Sequence, residues 1–213
     1  MNSSGIRFLV VLFGFWGIIS FAGQTYTNWP EYLGGPDSSH YSPLKQIDRS
    51  NVGQLEVAWT YATGDDQSYT FSPLVIDGFA YVAAKLGSLV ALDATNGKEL
   101  WVHSFPAAGG ALAYFSGIAG QRGANYWQSK DRSDRRILVS AGGFLQAIDA
   151  RTGNLVDSFA DHGKLDLKIG IDRAPRGLSS CSAGRVFENI LILGSATGKA
   201  TCLLPVISAV SIS

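Results

Sequence analysis

The chain has 213 residues, 46% of them hydrophobic and 16% charged, which describes a folded globular protein and excludes a disordered one. Seventeen Lys and Arg balance seventeen Asp and Glu, so the surplus of cations that a general nucleic-acid binder uses to displace counterions is missing. Two cysteines, Cys181 and Cys202, exclude a disulfide framework and any multi-cysteine zinc or iron–sulfur site.

Residues 1–22 read as a secretory signal. Arg7 supplies one positive charge, residues 8–19 form an uncharged apolar run, and Ser20-Phe21-Ala22 puts small residues where a signal peptidase cuts, before Gly23. A buried core helix or an uncleaved anchor would use the same run, although so short a stretch is marginal against ~30 Å of hydrocarbon. The expected location is a bacterial periplasm, with anchoring at the inner membrane as the alternative. No cysteine lies near the cut, which argues against a lipid-modified N-terminus.

Beyond Gln24 no helical spacing of apolar residues is sustained, and strand, turn and strand recur instead. Twenty-five glycines, five tryptophans and few glutamates fit that reading. Residues 79–84 alternate large and small side chains after the turn Asp77-Gly78. A second strand is expected over residues 88–92. Asn96-Gly97 predicts a type I′ hairpin turn, in which both residues take positive φ, before a strand over residues 99–103.

The same phrase then returns. Ala91-Leu92-Asp93-Ala94-Thr95-Asn96-Gly97-Lys98 is matched 56 residues later by Ala147-Ile148-Asp149-Ala150-Arg151-Thr152-Gly153-Asn154. A strand precedes each copy, at residues 80–84 and 136–141, and a third of the same kind is expected at 189–194, after residues 185–188. Small-sheet repeats of this size predict a β-propeller or a solenoid. Within the phrase, Asp93 can accept hydrogen bonds from turn amides, and Trp101 returns as a flat side chain able to pack between sheets. The second copy has Asp157 where the first has Trp101, so that blade is expected to close differently, with Phe159 the candidate. Trp101 reads as architecture, not chemistry.

These phrases resemble a known family. Residues 91–101 look like the tryptophan-docking motif of the quinoprotein dehydrogenases, eight-bladed propellers that carry pyrroloquinoline quinone (PQQ). Trp29-Pro30-Glu31-Tyr32, Tyr41-Ser42-Pro43-Leu44, Asn51-Val52-Gly53-Gln54-Leu55 and Val57-Ala58-Trp59-Thr60-Tyr61 resemble the leading segment of the glucose-dehydrogenase-like branch. Arg122-Gly123-Ala124-Asn125-Tyr126-Trp127 is similar to an Arg-Gly-x-x-Tyr stretch of that family. The resemblance runs over residues 28–198 and implies an all-β fold, an eight-bladed quinoprotein propeller of which about the first three blades are present. The expected division is a signal at 1–22, a partial propeller at 23–198 and a foreign tail at 199–213. An open arc leaves strand edges and blade faces uncovered, so poor stability of the isolated chain is expected.

The tail, KATCLLPVISAVSIS, carries no charge after Lys199 and no repeat phrase where one is due. It is expected to be an out-of-frame product. Codons for this peptide exist that, read one base earlier, give EGYMSPAGDIRGFDI, a strand, a turn and the start of another docking phrase. The alternative is a genuine hydrophobic C-terminal strand.

The resemblance also implies chemistry. Family members take a hydride from an alcohol or sugar carbon onto PQQ, with Ca²⁺ polarising the quinone and an aspartate as general base. Arg122 matches the family arginine that contacts the quinone, and its planar fork suits a carboxylate or quinone oxygen. Thr70 stands where relatives often have Glu or Gln on the cofactor, and Cys181 and Ser182 lie near a family hydroxyl that bonds it. Lys199 occupies the place of a calcium-binding glutamate in several members and cannot ligate Ca²⁺. On the frame-slip reading, the residue lost there is the glutamate. The vicinal disulfide of the family's alcohol dehydrogenases is absent, which favours the sugar-oxidising branch or a relative of it. No catalytic residue is assigned within the chain, because the general base is expected beyond Ser213.

Other candidates carry less. His40, His103 and His162 lack metal-ligand spacing and read as solvated loop or strand-end residues. The mixed charges of residues 130–136 read as an exposed hairpin loop. Gly109-Gly110 and the stretch 117–123 lack the following Lys-Ser/Thr of a phosphate loop. The expected function is therefore the N-terminal part of a PQQ-dependent sugar or alcohol dehydrogenase, incomplete and inactive as it stands. Its partners would be a small sugar or alcohol and an electron acceptor, quinone or cytochrome, and no nucleic acid. A non-enzymatic propeller-repeat scaffold of the bacterial envelope is the alternative.

Overall fold

The structure is a computed structural model and describes residues 28–105, 117–118, 121–170, 178–180, 182–197 and 206–212. Apart from a single 3-10 turn at Val52–Gln54, the described residues form no helix, and twelve strands make three antiparallel four-stranded sheets. The first blade is β1 (Leu74–Ile76), β2 (Phe79–Ala84), β3 (Ser88–Asp93) and β4 (Glu99–His103), paired in that order. The second is β5 (Asn125–Gln128), β6 (Arg135–Ala141), β7 (Phe144–Asp149) and β8 (Lys164–Asp166). In the third, β10 (Arg185–Phe187), β11 (Ile190–Thr197) and β12 (Val206–Ser211) pair in order, and β9 (Leu178–Ser179) joins β11 beyond the end of β10. The all-β propeller reading therefore holds, with three blades.

Period-two alternation explains how the blades stack. In the first blade Tyr81, Ala83, Leu89 and Ala91 face the second, where Ile137, Val139, Ala141 and Ile148 meet them. The alternate residues of that blade, Ala80, Ala84, Val90 and Leu92, are covered from the opposite side by Trp59 and Tyr61. Leu138, Leu145 and Ala147 of the second blade pack on Leu191 and Leu193 of the third. Phe159 is buried in that joint, the place expected of it. Both faces of a middle strand are thus dry, and each fully buried aliphatic side chain contributes roughly 1.5–3 kcal/mol.

Tryptophan against bare glycine forms the joint at one end of the sheets. A Cβ on Gly153 would lie 2.6 Å from Cε3 of Trp101, and one on Gly97 would lie 2.5 Å from Cε3 of Trp59. Both glycines also take positive φ, +76° and +72°. The two joints differ in their donor. Trp59 Nε1 donates to Ala94 O at 3.1 Å, whereas the matching Ala150 O receives Tyr81 OH at 3.0 Å. Trp101 Nε1 is left buried without a partner. His103, expected to be a solvated loop or strand-end residue, is the last residue of β4 but half-buried at this joint, with Nδ1 2.7 Å from Gly153 O, and burial lowers its pKa.

The type I′ turn is not formed. Gly97 has positive φ but Asn96 does not. The loop is longer, because Gly97 N donates back to Asp93 O at 2.8 Å while the Asp93 carboxylate accepts from Thr95 N, Thr95 Oγ1 and Asn96 Nδ2. Those bonds, Thr95 first, hold the Asp93 carboxyl below its ordinary pKa. Residues 130–136 are an exposed hairpin loop only in part. Arg136 is buried, its guanidinium 5.2 Å over the Trp127 ring and 2.5 Å from Asp134.

Residues 206–211 pair with β11 from Ile190 to Ser195, Val206 opposite Ser195 and Ser211 opposite Ile190. An apolar run with β-forming residues can fill such an edge whatever its origin, since ladder bonds come from the backbone. The opposite face of this last blade is bare: Phe187, Ile190 and Ile192 are 64%, 42% and 45% exposed.

A segment upstream of the blades ties them together. Trp29 exchanges two backbone hydrogen bonds with Val75 on β1, Pro30 O accepts from Tyr126 N on β5, and Tyr32 O accepts from Arg185 on β10. The chain at 29–38 thus crosses the first strand of each blade in turn. Glu31 is buried there, 3.4 Å from Arg185, and its carboxyl pKa lies above 4.5 because burial outweighs the arginine. A carboxyl whose folded pKa is raised binds its proton more tightly in the fold, so stability falls as pH rises from the unfolded value through the folded one. Urea midpoints measured between ~pH 4 and ~pH 7 should therefore fall more steeply with pH in the parent than in Glu31→Gln. Parallel profiles would contradict this.

Candidate functional site

The candidate residues Thr70, Arg122 and Ser182 each lie just before the first strand of a blade. Thr70 precedes β1, Arg122 precedes β5 and Ser182 precedes β10. The registers Leu74↔Tyr81, Asn125↔Leu138 and Arg185↔Ile192 carry all three toward one end of the sheets, the end of the β2–β3 and β6–β7 turns. The glycine joints lie at the other end, so docking and site do not compete for the same residues. Cys181 lies outside the described residues, as does the N-terminal apolar run.

Thr70 and Arg122 are joined through backbone. Ser72 N donates to Arg122 O at 2.9 Å, and Thr70 Oγ1 donates to Gln121 O at a long 3.3 Å. The Arg122 side chain is exposed and meets no hydrogen-bond or ion-pair partner among the described residues. Gly123 beside it is buried, and a Cβ there would already touch Tyr32 at 3.4 Å. Gly123 thus packs under Tyr32 of the leading segment, while the Arg122 guanidinium meets no partner among the described residues.

The segment carrying Thr70 is clamped. Asp65 Oδ2 accepts from Tyr69 OH at 2.6 Å and from Leu86 N at 2.7 Å, and Asp65 Oδ1 accepts from Gln67 N at 2.9 Å. Tyr69, first, and then the amides hold the Asp65 carboxyl below its ordinary pKa, while burial and Asp65 push Tyr69 up. Ile118 N donates to Gly87 O at 2.8 Å and extends the clamp to the second blade. Gln67 Oε1 and Gln121 Oε1 are buried without partners. On the third blade Ser182 Oγ accepts from Gly184 N at 3.1 Å, which leaves its proton available.

This rim fits a polycarboxylate in one respect that the structure displays: a cation with no partner among the described residues and two hydroxyl-bearing residues, all at the same end of separate blades. Neither the link from Asp65 to Leu86 nor that from Thr70 to Gln121 was legible from the sequence, because the partners stand 21 and 51 residues apart. Among the described residues no three His, Cys, Asp or Glu side chains converge, and Lys199 lies outside them. His40 is exposed, and the exposed His162 pairs with Asp157 at 2.6 Å, which raises its pKa. An open groove bounded by Phe159, Leu167, Ile169 and Val210 lies at the opposite edge of the sheets, away from Arg122. Among the described residues no helix is long and apolar enough to cross a membrane.

Comparison with known proteins gives a consistent result. Residues 29–203 match the family described as PQQ: glucose/ethanol/alcohol dehydrogenase, β-propeller domain. The chain is 34% identical over 154 residues to the quinohemoprotein alcohol dehydrogenase ADH-IIG of Pseudomonas putida, covering 70% of this chain and 21% of that protein. It is 29% identical over 190 residues to the quinoprotein glucose dehydrogenase of Escherichia coli, covering 80% and 24%. Among solved structures it is similar to the quinohemoprotein alcohol dehydrogenase of Comamonas testosteroni, with a TM-score of 0.61 and 26% identity over 80% of this chain and 23% of that one. The chain therefore spans about a fifth to a quarter of the length of the relatives it matches.

Proposed function

The chain belongs to the PQQ-dependent glucose/ethanol/alcohol dehydrogenase β-propeller family, and from that membership we propose that it is the leading part of an exported enzyme oxidising a sugar or an alcohol by hydride transfer to the quinone. The observation that carries the reading is the exposed Arg122 side chain, which meets no partner among the described residues and whose backbone oxygen is bonded to the first blade, at the end where Thr70 and Ser182 also lie. PQQ, when bound, accepts the hydride. This chain's share is to bind and orient it. Arg122 supplies a charge-assisted donor to a carboxylate or quinone oxygen, the Ser182 hydroxyl supplies a neutral donor, and Thr70 Oγ1, whose proton goes to Gln121 O, offers an acceptor. The aspartate general base and the loops that choose between sugar and alcohol are proposed to lie in sequence beyond this chain. The Ca²⁺ site is proposed to be incomplete here, and no step is assigned to it.

Export to a bacterial periplasm rests on the composition of residues 1–22, and the tail from Lys199 is proposed to be out of frame. The coding DNA tests the second point directly, since a minus-one frame without propeller sequence would end it. For the enzyme, a gene continued in that frame, expressed and supplied with PQQ and Ca²⁺, should reduce an artificial dye with glucose or an alcohol. No quinone binding at micromolar levels would overturn the reading. Arg122→Ala should weaken PQQ binding by about 10- to 100-fold, the worth of one charge-assisted hydrogen bond. An unchanged titration would remove Arg122 from the site.

A further inference from the structure

We propose that Asn125 is a positioning residue, which holds the Ser182-bearing turn of the third blade at a set distance from Arg122 on the second. The proposal rests on the quinone-site reading above. Asn125 lies three residues after Arg122 on β5, is 0% exposed, and stands opposite Leu138. Strand alternation turns Ala124 and Tyr126 toward the first blade and Asn125 and Trp127 toward the third. There Asn125 Nδ2 donates across the joint to Ala183 O, next to Ser182. Its Oδ1 is buried without a partner.

Local packing gives no reason for an amide at this point. A buried acceptor left unmet costs about 1–3 kcal/mol, and an apolar residue of similar volume would avoid that cost. What the amide provides is direction. The other directional links of this joint, Trp127 Nε1 to Glu188 O at 3.1 Å and Arg136 to Ile212 O, lie at the opposite end of the strands from Ser182, and the remaining contact is aliphatic and aromatic, which is non-directional. The turn is also fixed on its own blade, since Ser180 Oγ donates to Gly194 O at 2.6 Å and to Ser182 O at 3.1 Å. The joint between the first and second blades has its counterpart in Ser72 N donating to Arg122 O. A rigid, planar, multiply carboxylated ligand contacts several blades at once, and its affinity depends on the donors keeping one spacing.

The experiment compares the parent chain with Asn125→Leu, which keeps volume and removes both the link and the orphaned acceptor. Without cofactor, hydrogen exchange should quicken at least ~10-fold for amides 182–186 and stay unchanged in β6 and β7. The thermal midpoint should hold or rise. In a PQQ titration of the protein continued in the minus-one frame, the same substitution should weaken binding about tenfold relative to its own parent. Ser182→Ala should add less to that loss in the Asn125→Leu background than in the parent, since Asn125 acts through Ser182. If the parent itself binds no PQQ, the dehydrogenase reading fails, and the exchange comparison still decides whether Asn125 fixes the turn. Exchange that quickens uniformly with a lowered midpoint, or unchanged exchange at 182–186, would overturn the positioning role. So would fully additive effects of the two substitutions on PQQ affinity.

Discussion

Replacing Trp101 with alanine should cost about 3–5 kcal/mol of unfolding free energy, in the range of large aromatic deletions from cores, and should broaden or split the urea transition. The ring lies between blades, over Gly153 and 5.8 Å from the ring of Tyr81. In a repeat array stability is roughly the sum of each repeat's own term and its interfaces, so losing one interface uncouples its neighbours. Gly153→Ala tests the same joint from the other side. Its new Cβ would stand 2.6 Å from the indole, at a φ of +76° that costs an L-residue about 1–2 kcal/mol by itself. In the Trp101→Ala background only that backbone cost should remain, and the departure from additivity measures the ring–glycine contact. Additive losses, or a Trp101→Ala loss below ~1 kcal/mol, would show that the joint lies elsewhere.

Arg136→Ala should cost about 2–4 kcal/mol, far more than an exposed ion pair returns. Arg136 is buried, stacks on Trp127, pairs with Asp134 and donates to Ile212 O at the end of β12. Its removal empties the space over the indole and strips a donor from a buried carbonyl. Trp127 emission should shift to the red, and residues 206–212 should lose protection from hydrogen exchange before the second blade does. Arg132→Ala is the control, because Arg132 is half-exposed where it meets Asp77 at 2.7 Å and should cost no more than ~0.5 kcal/mol. Equal losses for the two arginines would contradict the buried role.

The rim and the joints occupy opposite ends of the same strands, and this separation has a functional consequence. Docking residues such as Gly97 and Gly153 can be held rigidly without dictating the geometry of the rim that is proposed to face the quinone. Arg122, Thr70 and Ser182 are then presented by loop ends whose positions depend on a few named hydrogen bonds: Ser72 to Arg122, Thr70 to Gln121 and Asn125 to Ala183. Small changes in those bonds should tune cofactor affinity with little effect on the stacking of the blades.

Sequence by itself determined the repeat, the middle strands and the docking phrase. Strands β2, β3, β6 and β7 are buried on both faces, so they read as apolar runs bounded by Asp-Gly and Thr-Gly turns. Only the tertiary structure supplied the first strand of each blade. Leu74–Ile76 and Arg185–Phe187 are three residues each, too short to carry a period, and exist because a neighbouring strand offers its edge. It also decided that residues 29–38 cross all three blades, that Trp59 repeats the role of Trp101, and that Asn96-Gly97 belongs to a longer loop gathered around the Asp93 carboxylate. Those features are contacts between residues 35 to 153 positions apart or contests among local hydrogen bonds. A linear pattern records which side chains are apolar, but it does not record which distant backbone will stand opposite them.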